Sequence, residues 1–262
     1  MTESVLNIEL HPNFFAYAVK SPQETLYSKA HIEHLTTISE NGIDLTQLST
    51  WLKSLQKIWN NTSQKISISI HGYPVTITNT KEEAQITHQT LISTTPSGSF
   101  WIQEKLNDGI IWTMTIPIDL KNLLDSYFVQ PKLSPSVLGF CKNVFENSNS
   151  IQQLHLYLTP QIAYFYYQVG KKPTFYNSFQ YKNKEDLLYY ILLVYKMLEL
   201  DTNSYPLILS GMIEKESEIY HLLYQYIRNV YIEECNVPIK DLSNEDELLH
   251  SNYLANLIYT SN

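Results

Sequence analysis

A chain of 262 residues with 44% hydrophobic content can bury one large core or two modest ones without disulfide or metal staples. Its formal charge of −8, with Arg228 the single arginine among 18 basic residues, supplies no basic stripe to neutralise phosphates, so no nucleic-acid partner is expected. Cys141 and Cys235 stand alone, without metal or redox spacing, which argues against a disulfide framework and points to a reducing compartment.

In chain order, MTESVLNIEL has neither the basic start nor the long apolar stretch of a signal peptide, and a cytoplasmic location is expected. LNIELHP from Leu6 places apolar side chains on alternate positions and closes on proline, which predicts a strand. FFAYAVKS from Phe14 and TLYSKAHI from Thr25 continue it as a three-strand meander. LTQLSTWLKSLQKIW from Leu45 puts Leu48, Trp51, Leu52, Leu55 and Ile58 on one helical face, with Asp44 as its cap. KISISI, ending at His71-Gly72, is again an alternating strand.

SFWIQEKL from Ser99 and IIWTMTI from Ile110 flank Asn107-Asp108-Gly109, a strong hairpin signal. Asp119 is expected to cap LKNLLDSYF. SPSVLGFCKNVF from Ser134 reads as a helix with Pro135 in its first turn, followed by the polar linker ENSNS. The expected domains are 1–133, a connecting helix and linker 134–150, and 151–262.

The second half repeats the opening. LHLYLTP from Leu154 spells the same strand as LNIELHP, IAYFYYQVG from Ile162 follows, and Gly170 to Pro173 turn the chain into TFYNSFQY. KEDLLYYILLVYKMLEL from Lys184 is a helix apolar all round, as befits one packed between a sheet and other helices. Its apolar run of about 12 residues is short of the 18 or so that a membrane span needs, so no membrane is expected. The strand YPLILSG from Tyr205 ends in glycine, so that Gly211 answers Gly72. A helix with Ile219, Leu222, Leu223, Tyr226, Ile227 and Val230 on one stripe, a strand VYIEE, and a terminal helix NEDELLHSNYLANLIY complete the reading. Two halves with the same opening order suggest an internal duplication.

This order, a duplicated three-strand meander followed by helix and strand, resembles the actin-like ATPase superfamily of actin, sugar kinases and chaperone ATPases. More narrowly, the chain resembles an uncharacterised bacterial family of unknown function assigned to that fold. The resemblance implies an α/β, ribonuclease-H-like duplicated fold. Each of its two domains would have a mixed five-stranded sheet, an antiparallel meander plus parallel strands, with flanking helices. It also supplies a test, because active members carry an Asp-x-Gly turn after the first strand, where a carboxylate orders metal and water and glycine lets backbone amides reach phosphate.

In this chain that turn is His11-Pro12-Asn13, and its repeat is Thr159-Pro160-Gln161. Neither offers a carboxylate or a glycine, and each proline deletes a backbone N–H. The family's adenosine-side glycine pair is reduced to Ser210-Gly211, and the next helix is expected to open on Glu214-Lys215-Glu216, whose acids repel phosphate. Only seven glycines occur in the chain. The expectation is therefore a non-catalytic, degenerate member without cofactor, acting as a binding or scaffold module for another protein. The alternative is an atypical ATP- and magnesium-dependent phosphotransferase or ATPase, whose interdomain cleft would be flanked by His11, Asn13, Thr159, Gln161, Ser210 and Gly211.

Other constellations carry less. His31 and His34 lack the spacing of a helical zinc pair and a third ligand, and read as exposed strand residues. His155 faces away from Leu154 and Leu156. TTPSGS from Thr94 lacks the lysine of a phosphate-binding loop. Cys141 reads as a buried thiol, and Cys235 sits beside two glutamates that disfavour its thiolate. Asn60 and Asn61 open glycosylation patterns that are idle without secretion. The twenty tyrosines are the compositional peculiarity, and Tyr164, Tyr166, Tyr167, Tyr176 and Tyr181 form a candidate protein-recognition surface.

Overall fold

A computed structural model describes residues 4–20, 27–36, 42–58, 65–91, 98–106, 109–135, 137–147 and 152–233. The chain divides into two compact units, Met1–Gly139 with Val237–Asn262, and Phe140–Asn236.

In the first unit, β1 (Val5–His11), β2 (Phe14–Lys20) and β3 (Tyr27–His34) form the antiparallel meander that their alternation predicts. α1 (Leu45–Ile58) buries Leu48, Trp51, Leu52 and Leu55. Asp44 caps it, its carboxylate accepting the Thr46 and Gln47 N–H groups at 2.8 and 3.1 Å; those bonds hold its carboxyl below the usual range. β4 (Lys65–Ile70) pairs parallel to β1.

Two elements have no counterpart in the sequence reading, the short strand β5 (Val75–Thr78) and helix α2 (Lys81–Leu91). The hairpin strands β6 (Ser99–Lys105) and β7 (Ile111–Pro117) are present, and with β5 they make a three-stranded sheet of order β5-β7-β6. Of the signal at that turn, Asn107 and Asp108 lie outside the described residues.

α3 (Ile118–Tyr127) begins two residues earlier than predicted, so Asp119 stands in its first turn and Pro117 takes the cap position without a side-chain bond. A larger correction follows it. Ser134 and Pro135 do not open a helix; they end strand β8 (Lys132–Pro135), which pairs parallel to β4. Proline is tolerated there because β8 is the edge of the sheet β3-β2-β1-β4-β8 and owes no outer hydrogen bond. The helix, α4 (Leu138–Asn147), starts three residues later.

The second unit builds β9 (Leu154–Thr159), β10 (Ile162–Val169) and β11 (Lys172–Gln180) as a second meander, then α5 (Lys184–Met197), capped by Asn183. β12 (Leu207–Gly211) pairs parallel to β9, and β13 (Val230–Ile232) parallel to β12. The sheet order is β11-β10-β9-β12-β13, matching the first sheet strand for strand. α6 is short, Glu218–Leu223, with Ser217 as its cap. Tyr226 is exposed and Val230 already belongs to β13, so the predicted stripe stops early, and Glu214 to Glu216 precede the helix rather than open it. The predicted terminal helix and Cys235 lie outside the described residues. Among those residues no helix is long and apolar enough to cross a membrane.

One face of each sheet is a conventional core. Leu6, Ile8 and Leu10 join Trp51, Leu52, Leu120 and Leu124 in the first unit. In the second, Leu154, Leu156 and Leu158 join Leu187, Ile191, Val194 and Leu223. Each such side chain, fully removed from water, contributes about 1.5–3 kcal/mol. Alternation therefore sends the intervening residues of β1 and β9 to the other face, where the candidate site lies.

Candidate functional site: the two strand-end turns

Registers place the two turns in equivalent positions. In the first unit Leu10 pairs with Ile70 and its carbonyl accepts the His71 N–H at 2.8 Å; in the second Leu158 pairs with Gly211 and accepts the Met212 N–H at 2.8 Å. Hence Glu9 corresponds to Tyr157, His11 to Thr159, Ser69 to Ser210 and His71 to Met212. Gly211 then corresponds to Ile70, not to Gly72 as the strand endings suggested.

His11 and Phe14 close the first turn around Pro12 and Asn13, and Thr159 and Ile162 close the second around Pro160 and Gln161. In the first, the Asn13 N–H donates to His11 Nδ1 at 3.0 Å and the Asn13 carbonyl accepts the Leu35 N–H at 2.8 Å. In the second, the Thr159 hydroxyl donates to the Ile162 carbonyl at 3.1 Å and the Tyr181 hydroxyl donates to the Thr159 carbonyl at 2.9 Å. The Gln161 carbonyl accepts the Tyr181 N–H at 2.9 Å, the counterpart of Leu35. Gln161 is left-handed, with φ of 65°, the conformation that the third position of a type II turn demands when proline holds the second.

Ser210 and Gly211 are placed by the same sheet. The Ser210 hydroxyl donates to Glu233 Oε2 at 3.2 Å. Gly211 has φ of 83°, and a Cβ there would stand 2.2 Å from the Leu158 carbonyl oxygen. Glycine is required because β9 passes too close for any side chain.

Sequence reasoning missed the polar cluster beside the first turn. Glu9, His11 and His71 are all fully buried, and His71 Nε2 lies 2.5 Å from Glu9 Oε1. His11 and His71 have ring centroids 5.1 Å apart, and Phe14 stacks on His11 at 4.6 Å. Burial holds His71 down to about 3, while burial and then the neighbouring His71 keep His11 well below its ordinary value. Beside them Ser69 and Ser134 approach through their hydroxyls at 3.5 Å. The signal was the run of polar residues Asn7, Glu9 and His11 at alternate positions, which reads as a solvent face only if nothing covers it.

On the equivalent face of the second unit, Phe140 of α4 covers Tyr157 at 5.2 Å and His155 at 6.4 Å between ring centroids. Burial pushes His155 down to about 4. Tyr164, Tyr166 and Tyr167 are 3%, 0% and 5% exposed. Tyr166 donates to Gln168 Oε1 at 2.9 Å, and Tyr167 points the other way, into the core of Leu154 and Leu156. Burial, then Tyr164 and Cys141, raise Tyr176 well above its usual value, and burial raises the Cys141 thiol in the same way. Tyr181 is spent on the turn. The exposed tyrosines are others: Tyr189, Tyr224, Tyr226 and Tyr231. His31 and His34 lie exposed on β3, and among the described residues no group of three His, Cys, Asp or Glu side chains is arranged to hold a metal ion.

Several solved structures share this architecture. A Bacteroides thetaiotaomicron protein with an actin-like ATPase fold and unknown function superposes with a TM-score of 0.76 at 16% identity, over 88% of this chain and 91% of that one. A structure of the PilM-PilN type IV pilus biogenesis complex matches with a TM-score of 0.66 at 11% identity, over 97% and 96%. The ethanolamine utilization protein EutJ from Carboxydothermus hydrogenoformans matches at 0.57 and 7% identity, over 99% and 89%. At such identities the likeness carries the fold alone, which is the actin-like ATPase fold. No match was found among curated proteins. Over residues 6–230 the sequence fits the family described as "Protein of unknown function (DUF3822)", and the chain belongs to that family.

Proposed function

We propose that this protein is a non-catalytic actin-like protein that works as a binding or scaffold module for another protein. The observation that carries this reading is the state of the two turns. Where an actin-like ATPase needs a carboxylate and free backbone amides, both turns have a proline, and the first donates its remaining N–H to its own histidine at 3.0 Å. An oxyanion approaching the first turn meets a spent donor. The Ser210 hydroxyl is likewise engaged with Glu233, and that carboxylate repels phosphate.

PilM, a protein of the same fold, forms a complex with PilN, and a protein partner is the corresponding expectation here. The partner would meet exposed aromatic residues such as Tyr231, which shares a cross-strand row with Ile208, His155 and the buried Tyr166. The matching strand order of the two sheets supports an internal duplication, with domains at 1–133 and 151–262 joined through 134–150, and a cytoplasmic location suits the two isolated thiols.

The test is to follow melting temperature while titrating the purified protein with ATP and magnesium. Binding at a hundredfold the dissociation constant would add about 2.7 kcal/mol of stability. No shift is expected, and a clear upward shift would establish the nucleotide-dependent alternative instead.

A further inference from the structure

The hydrogen bond that fixes the first turn depends on which nitrogen of His11 carries a proton. Asn13 N–H donates to Nδ1, so the neutral ring must carry its hydrogen on Nε2. A second proton can enter only at Nδ1, where it would face the Asn13 N–H across 3.0 Å, donor against donor.

We propose that His11 is a proton-sensitive latch: neutral, it holds the β1–β2 turn closed, and protonated, it releases Asn13 and lets the turn open. The ring has no exposed surface to which it could turn without leaving the core. The described residues bring the following groups to it. Glu9, on β1 itself, is engaged by His71 at 2.5 Å, and His71, following β4, adds positive charge if it gains a proton. From β3 comes the exposed His34, its ring 6.3 Å from the Phe14 ring that covers His11. β2 and β8 bring Phe14, Ala16 and Ser134 to this face, none of them titratable. In the open turn the imidazole regains its ordinary affinity for protons, so opening becomes easier by about tenfold per pH unit below about 6.5.

The second unit is a built-in control, because Thr159 takes the place of His11 and its turn holds no titratable side chain apart from Tyr181. Hydrogen exchange should be followed from pH 7.5 to 5.0, corrected for the intrinsic rate, at the amides of Asn13 and Leu35 and at Tyr181. Asn13 and Leu35 are expected to lose about thirtyfold in protection, while Tyr181, bonded to the second turn, keeps its own. In His11→Asn, whose side-chain oxygen can still accept the Asn13 N–H, the loss should disappear. Equal loss in both turns, no loss in either, or loss that persists in His11→Asn overturns the latch. Should that variant fail to fold, nitrogen chemical shifts of the wild-type ring decide: a neutral ring protonated at Nε2 is expected at pH 7, and one protonated at Nδ1, or a cationic ring, overturns it.

Discussion

The ends of β1 and β9 have one strand register and two chemistries. Both close on a proline turn, both are hydrogen-bonded through the residue that follows the parallel neighbour, and both bury an ordinary apolar face. Their other faces differ. The first collects Glu9, His11 and His71, held by burial and by the Glu9–His71 bond, whereas the second has Tyr157, Thr159 and Met212 at those positions, with Phe140 of α4 against Tyr157. The two sheets thus share a strand register while their side chains differ at the same three positions.

The largest test of that comparison is at Gly211. In Gly211→Ala the new Cβ would meet the Leu158 carbonyl oxygen at 2.2 Å and the residue would stay at φ of 83°, so β9 and β12 must separate. A loss of more than about 3 kcal/mol is expected in denaturant unfolding of the second unit. Gly72→Ala in the first unit meets only the edge of the Pro12 ring, at 2.7 Å, and should cost about 1–2 kcal/mol. Equal losses would remove the claim that the second sheet alone needs glycine for backbone contact.

These contrasts also mark what the sequence could reveal. The strands of both meanders were legible because LNIELHP, KISISI and LHLYLTP alternate, and α1 because Leu48, Trp51, Leu52 and Leu55 recur at helical spacing. α2 was not, since among its described side chains Ala84 is the buried one and Ile86 lies 66% exposed, so no apolar stripe announces it. β8 was misread because Ser-Pro is as good a helix opening as it is an edge-strand ending. The site was half legible. The two proline turns stand in the sequence, but the Glu9–His71 pair joins residues 62 positions apart, and only the strand register brings them together.

The next effect is pH dependence in the second unit. His155 is held neutral by burial, with a value of about 4, against about 6.5 in the unfolded chain. The unfolded state therefore binds the extra proton first; the stability is fully present above about pH 6.5 and is lost as pH falls towards 4, at about 1.4 kcal/mol per pH unit. In His155→Asn, which installs the residue found at the equivalent Asn7, that component should vanish and the slope of unfolding free energy against pH should flatten by one proton. An unchanged slope would mean that His155 is not buried neutral. Smaller again is Tyr181→Phe, which removes the 2.9 Å bond to the Thr159 carbonyl. It should cost about 1 kcal/mol in thermal or denaturant unfolding, and no loss would show that the turn does not depend on that hydroxyl.

The smallest effect has opposite signs in the two turns. Gln161 is exposed and left-handed at φ of 65°, a conformation costing an L residue about 1–2 kcal/mol. Glycine pays no such strain but has about 0.5–1 kcal/mol more freedom to lose on folding. Gln161→Gly should therefore stabilise the second unit by up to about 1 kcal/mol. Asn13 is not among the residues with positive φ, so Asn13→Gly relieves nothing and should destabilise the first unit by about 0.5–1 kcal/mol. If both substitutions moved stability in the same direction, the two turns would have to share one backbone conformation, and the difference between them would lie in side chains alone.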